Sequence, residues 1–299
     1  MGKSQGTILI TGATGFIGRR LTKRLLDDGF SVRCMVRRTT TAMPDGAEIV
    51  QADMFEPATL GRALTGIDTA YYLVHSMAGG RAGFARRDRE AAENFVAAAN
   101  RAYVRRVIYL GGLGETGDDL SEHLKSRLAV ADILKKGTFA TTFLRAAVII
   151  GAGGASFEMV RALVNRLPLM ITPRWVTTRC QPIAVDDVIG YLAGCLADER
   201  TAGRTFDIGG PEVLTYKEMM ERFAGIEGKR LYIFPVPLLT PKLSSYWVGF
   251  ITPVPPSVSM PLIEGLKNEV ICCDNAIRDI IPLQLKPYDD AVRSAIKGD

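Results

Sequence analysis

Thr7-Ile-Leu-Ile-Thr-Gly12-Ala-Thr-Gly15-Phe-Ile-Gly18 decides the fold. An apolar, β-branched run ends in a glycine turn, and the residues that follow, to Asp28, carry the apolar spacing of an amphipathic helix. Gly12 permits the sharp turn, Gly15 lets a pyrophosphate approach the backbone, and Gly18 allows close packing of helix on strand. The helix N-terminus adds unpaired N–H groups and a positive dipole end, so strand, turn and helix together read as an anion cradle.

Outward from that turn, short β-branched runs alternate with helical patterns. Strands are predicted at Thr7–Thr11, Ser31–Val36, Glu48–Ala52, Ala70–Val74, Val107–Leu110, Phe139–Ile150 and Thr205–Ile208. Helices are predicted near Gly15–Asp28, Pro57–Leu64, Phe84–Arg101, Asp119–Lys136, Val185–Ala197 and Tyr216–Phe223. The alternation implies βαβ units with right-handed crossovers: an α/β, doubly wound parallel sheet of the Rossmann type with a smaller C-terminal lobe. The expected division is a dinucleotide-binding domain over residues 1–210, with an excursion near 151–180 joining the smaller lobe, and a substrate or interaction lobe over 211–299.

Composition narrows the function. With 37 Lys+Arg against 32 Asp+Glu, the net charge of +5 is too small and too dispersed to argue for nucleic acid. The basic stretch Arg81 to Arg106 contains Asp88, Glu90 and Glu93 at helical spacing and reads as a solvated helix face. Five cysteines without a Cys-x-x-Cys pair, and only two histidines, His75 and His123, give neither a disulfide framework nor a metal site. Met1 to Gly6 has no apolar leader pattern, and a reducing cytoplasm is the expected location. Leu243 to Ile263 is uncharged and long enough to span a bilayer, but Pro253, Pro255, Pro256 and Pro261 argue against a membrane helix. Tyr232 to Pro261 is Pro-rich, resists regular structure and is expected to wall an apolar pocket. An ordinary lobe core, a subunit interface and a peripheral membrane contact are the alternatives.

The second strand ends in Arg37-Arg38, where an NAD site carries an acidic residue for the ribose hydroxyls. Two cations there suit a 2′-phosphate, so NADP(H) is favoured over NAD(H).

The Gly-x-x-Gly-x-x-Gly spacing with Thr11 and Thr14 resembles the short-chain dehydrogenase/reductase superfamily. Phe143-Leu-Arg-Ala-Ala-Val-Ile-Ile-Gly151, Pro182-Ile-Ala-Val-Asp186-Asp187-Val188 and Thr205-Phe-Asp-Ile-Gly-Gly-Pro211 extend the resemblance to about residue 225. They direct it to the atypical, NmrA-like and epimerase/dehydratase-like branches. The resemblance implies a cofactor site built from Gly12, Thr14, Gly15, Phe16, Ile17 and Gly18, with Arg37, Arg38, Asp53 and Met54 around the adenosine. Leu73, Val74, His75, Gly111, Arg145, Ala146 and Val148 would lie along the path to the nicotinamide.

Catalytic members of the superfamily carry Tyr-x-x-x-Lys on the helix before the sixth strand, one helical turn apart and hence on one face. The matching stretch here reads Ser121-Glu-His123-Leu-Lys-Ser126-Arg127, and the serine-rich turn is replaced by Gly111-Gly112-Leu113-Gly114. In one reading His123 donates the proton and Arg127 binds a cofactor ribose or a substrate anion, in an oxidoreductase for a small apolar carbonyl compound. In the other the motif is vestigial, and the protein is a non-catalytic NADP-binding redox sensor or accessory subunit.

Overall fold

The computed structural model describes residues 6–38, 43–74, 80–114, 122–236, 265–266 and 268–298. In chain order they form β1 (Thr7–Ile10), α1 (Phe16–Asp27), β2 (Val32–Val36), β3 (Glu48–Gln51), α2 (Pro57–Leu64), β4 (Ile67–Tyr72), α3 (Gly80–Arg101), β5 (Arg106–Gly112), α4 (Glu122–Leu134) and β6 (Ala140–Ala146). There follow β7 (Ile149–Ile150), α5 (Ala155–Arg166), β8 (Leu169–Pro173), β9 (Arg179–Cys180), β10 (Ile183–Ala184), α6 (Val185–Ala197), β11 (Thr205–Ile208), β12 (Leu214–Thr215), α7 (Tyr216–Ile226), β13 (Tyr232–Val236), α8 (Ala276–Ile280) and α9 (Tyr288–Lys297).

Seven strands pair in the order β3-β2-β1-β4-β5-β6-β11, all parallel, as in a Rossmann fold. Strand order reverses between β1 and β4, and the chain-terminal ends of those strands open into the crevice where such sheets hold ligands. Both faces are covered. Leu60, Phe95, Val130 and Leu134 from α2, α3 and α4 pack on one, and Leu21, Leu25, Val188 and Leu192 from α1 and α6 on the other. A third apolar cluster unites Phe157, Met219, Phe223 and Val292 from α5, α7 and α9, beside the sheet's crevice. Val270 closes this cluster against the rest: it bridges to Cys180, accepts from the Gln181 N–H at 2.9 Å, and lies where any side chain on Gly114 would collide with it.

Three readings of the sequence are corrected. The run Phe139–Ile150 is not one strand, because after Ala146 the chain leaves the main sheet and β7 pairs with β10. The stretch from Arg81 to Arg106 is not uniformly solvated: Glu90 and Glu93 are exposed, but Asp88 is 4% exposed and Arg106 fully buried. Asp88 lies on the α3 stripe with Ala91, Ala92 and Phe95, the face that meets α4. Arg106 belongs to β5 and donates to the Thr142 and Thr201 hydroxyls at 2.9 and 2.5 Å. Tyr232–Val236 is a strand despite Pro235, paired in parallel with β8, an edge position where a missing N–H is tolerated. Residues 237–261, and with them most of the uncharged stretch, lie outside the described residues. No helix among the described residues is long and apolar enough to cross a membrane.

Candidate functional site

The glycine turn is fixed by packing before any ligand is considered. Buried Thr11 donates from its hydroxyl to the Tyr71 carbonyl at 2.9 Å and accepts from the Leu73 N–H at 3.0 Å, locking the turn to the end of β4. Gly12 has φ +66°, and a side chain there would strike the Leu73 carbonyl at 2.7 Å. A side chain on Gly18 would overlap the Gly12 carbonyl and lie 2.8 Å from Ala13 Cα. The protein's own backbone therefore requires both of these glycines.

Gly15 is different. Its φ is −78°, open to any residue, and a Cβ would meet only the Gly12 carbonyl at 3.2 Å. The space this glycine leaves belongs to the cavity in front of α1, so Gly15 provides a cradle that a Cβ would fill. The first intrahelical bond runs from the Arg19 N–H to the Gly15 carbonyl at 3.1 Å, leaving the N–H groups of Phe16, Ile17 and Gly18 ahead of it. Gly15 supplies no side-chain cap and the first turn holds no acidic residue. That is the electrostatics of an anion site.

From this turn a cavity of about 490 Å³ runs along the crevice. Of the residues expected at the site it brings together Gly12, Gly15, Phe16, Ile17, Gly18, Leu73, Val74, Gly111, Ala146, Val148 and Arg127. The other expected residues that the structure describes do not line it. Thr14 is exposed at the tip of the turn, and Arg37 and Arg38 are exposed just after β2, with the Arg37 carbonyl accepting from Gln51 Nε2 at 3.2 Å. Asp53 accepts the Phe55 N–H at 2.9 Å, and Met54 is buried in the core. Arg145 is clamped to buried Asp207 on β11, with nitrogen–oxygen distances of 2.7 and 2.6 Å, and does not line the cavity. His75 lies outside the described residues. His123 falls in the first turn of α4, but its side chain is outside the described part.

Residues that the motif reading did not supply complete the walls. Among the described lining residues the only Asp, Glu, Lys or Arg are Asp88 on α3, which the motif reading did not supply, and Arg127 on α4, which it did. The buried Ser126 hydroxyl donates to Asp88 Oδ2 at 3.2 Å, and Arg127 Nη1 reaches the Leu110 carbonyl at 3.5 Å. Beyond them Leu113, Met159, Leu163, Trp175, Met219 and Met220 form an apolar chamber. The signal that could have found Asp88 is its spacing, since 88, 91, 92 and 95 share one helix face, but the exposed charges around it mask that signal. The chamber has no such signal, because its residues come from segments far apart in sequence.

A second glycine turn, Gly151 to Gly154, opens α5 on the far side of Phe16, and Gly154, Ala155 and Ser156 also line the cavity. Arg20 stacks on the Phe16 ring at 4.7 Å and donates to the Ala152 carbonyl at 3.0 Å, tying the two turns together. Gly154 likewise supplies no side-chain cap, but this first turn carries an acid: Glu158, whose Oε1 accepts the N–H of Gly153, just ahead of the helix, at 3.0 Å.

A family profile described as NAD(P)H-binding matches residues 12–161, the span from the glycine turn into α5. The chain belongs to this NAD(P)H-binding family. A curated relative, (4-alkanoyl-5-oxo-2,5-dihydrofuran-3-yl)methyl phosphate reductase of Streptomyces griseus, is 29% identical over 234 residues, covering 75% of each chain. Two solved structures share the fold. A nucleoside-diphosphate-sugar epimerase from Staphylococcus aureus superposes with a TM-score of 0.80 at 17% identity, over 96% of this chain and 99% of that one. Citrobacter triphenylmethane reductase, solved with NADP(H), gives 0.77 at 19% identity over 97% and 99%. The protein described here is thus a member of an NAD(P)H-binding family with a reductase among its curated relatives.

Proposed function

We propose that the protein is an NADPH-dependent reductase acting on a small, uncharged, apolar carbonyl-type compound. One observation carries the reading: a single cavity joins the uncapped glycine turn to an apolar chamber, and its charged lining residues, Asp88 and Arg127, stand beside the Gly111 strand end. In this reading the cluster of α5, α7 and α9 is the substrate lobe and the sheet domain holds the cofactor.

The bound dinucleotide would supply the hydride. The chain's residues do the rest. The α1 N-terminus and Gly15 hold a pyrophosphate, and Arg37 and Arg38 grip a 2′-phosphate, which makes NADP(H) the preferred form. Gly111 and Ala146, which carry little or no side chain, leave room for a flat ring at the ends of β5 and β6. Arg127 orients a ribose hydroxyl or the substrate oxygen, and the chamber excludes water from the reacting carbon. His123, one helical turn before Arg127, is the proton donor in this scheme.

The test is retention and turnover together: mass spectrometry of the small molecule kept by purified protein, then NADPH oxidation against carbonyl, enone and quinone compounds. Turnover of a neutral apolar member supports the reductase. NADPH binding without turnover of any member would instead favour a sensor or accessory subunit, the reading to which the missing Tyr and Lys at 123 and 127 point.

A further inference from the structure

The ribbon formed by β8 and β13 presents an unusual outer face. Its register sets Tyr232 beside Leu169 and Phe234 beside Ile171. Strand alternation turns Met170 and Ile233 into the core and these four outwards, each between 53% and 57% exposed. Large apolar side chains in register, half out of the protein, make one continuous strip. At about 150–250 Å² per aromatic side chain it offers on the order of 400 Å² of apolar surface.

Cations stand at both ends of the strip. Arg166 precedes β8, and Lys229 and Arg230 precede β13, at the end where the Tyr232 N–H donates to the Pro168 carbonyl at 3.0 Å. Arg174 follows β8 at the other end and is exposed. Residues 159–176 and 228–236 contain no Asp or Glu. The nearest acids in sequence are already paired, Glu158 with Arg161 at 2.9 Å and Glu227 with Lys229 at 2.6 Å.

We propose that this strip docks the protein on an anionic lipid bilayer, with Leu169, Ile171, Tyr232 and Phe234 entering the headgroup–acyl boundary and Arg166, Arg174 and Arg230 meeting lipid phosphates. Apolar and aromatic groups bracketed by cations are the pattern that such a surface recognises. A second copy of the chain fits worse. A stable dimer needs about 800 Å² from each partner, and two-fold pairing of this strip brings cationic ends together. The inference is independent of the cavity and of the reaction proposed for it.

Sedimentation of the full chain with vesicles tests it. Equimolar phosphatidylglycerol and phosphatidylcholine vesicles should carry the protein down, and phosphatidylcholine alone should not. Phe234→Glu should lower partitioning at least about tenfold, Ile171→Glu likewise. Arg230→Gln should lower it about fivefold, an effect that added salt erases. All three variants should keep the wild-type rise in melting temperature with NADPH. Absence of sedimentation with anionic vesicles, or sedimentation indifferent to Phe234→Glu and Ile171→Glu, overturns the proposal. So does a change from dimer to monomer caused by these variants in lipid-free sedimentation velocity, which would assign the strip to a second copy.

Discussion

The two glycine turns on either side of Phe16 border one cavity and each starts a helix, yet they are built for opposite ends. At α1 the first-turn N–H groups are left without a side-chain cap or an acidic neighbour. At α5 there is no side-chain cap either, but the first turn carries the chain's own carboxylate, Glu158, which takes the Gly153 N–H just ahead of the helix. Both turns are rich in glycine, so composition does not separate them. What separates them is whether the first helical turn holds a carboxylate of the protein's own or is left open to an anion. A third helix end, at α7, is capped by the protein itself through a capping box in which Thr215 and Glu218 bond reciprocally.

The contrast can be broken most severely at Gly18. Gly18→Val drives a side chain into the Gly12 carbonyl, so loss of more than about 3 kcal/mol of stability is expected, read by thermal or denaturant unfolding. Gly15→Val should leave the melting temperature of the free protein within a few degrees of wild type but abolish its rise with NADPH. If both variants unfold alike, Gly15 serves packing rather than a ligand. Arg37→Ala should remove about 1.5–3 kcal/mol of NADPH binding and leave NADH binding nearly unchanged, as measured by titration calorimetry. Equal affinities for the two cofactors in the wild type would break the 2′-phosphate assignment.

Smaller effects sharpen the comparison at the other two helix ends. Thr215→Ala should cost about 1 kcal/mol. The Thr215 N–H and hydroxyl hold the Glu218 carboxyl below its usual range. Its contribution is therefore present above the ordinary Glu pKa, and acidification through the lowered value removes it. The Glu218→Gln variant should lose the corresponding part of the acid dependence of unfolding. Glu158→Gln should cost about 0.5 kcal/mol and leave NADPH affinity unchanged; a gain in affinity would mean that the second turn is a latent anion site.

Much of the sheet domain was legible because its signals are local. The run Thr7 to Gly18 contains strand, turn and helix start in one window, and α2, α6 and β11 fall where periodicity puts them. The lobe was opaque for a physical reason: β8 and β13 pair across about sixty residues, and their prolines read as breakers when the partner strand is unknown. Within the site, the glycines could be read from spacing, whereas the fates of Arg145 and Asp88 could not be read from charge alone. Asp207, which binds Arg145, is supplied by a strand far along the chain. Asp88 was hidden by its neighbours Arg86, Arg87, Arg89 and Glu90, all exposed, which made a buried carboxylate look like one more member of a solvated run.

Val270 gives the cavity an order of assembly. The glycine turn, β4 and β5 are made in the first part of synthesis, when the segments that bring Met219, Met220 and Val270 to the chamber do not yet exist. A nascent or truncated chain that stops before Val270 possesses the anion cradle without the opposite wall. A ligand reaching both ends of the cavity can lend its full binding energy only to a chain elongated past that point. Ligand-dependent resistance to proteolysis would then mark finished molecules, and incomplete ones would be left to degradation.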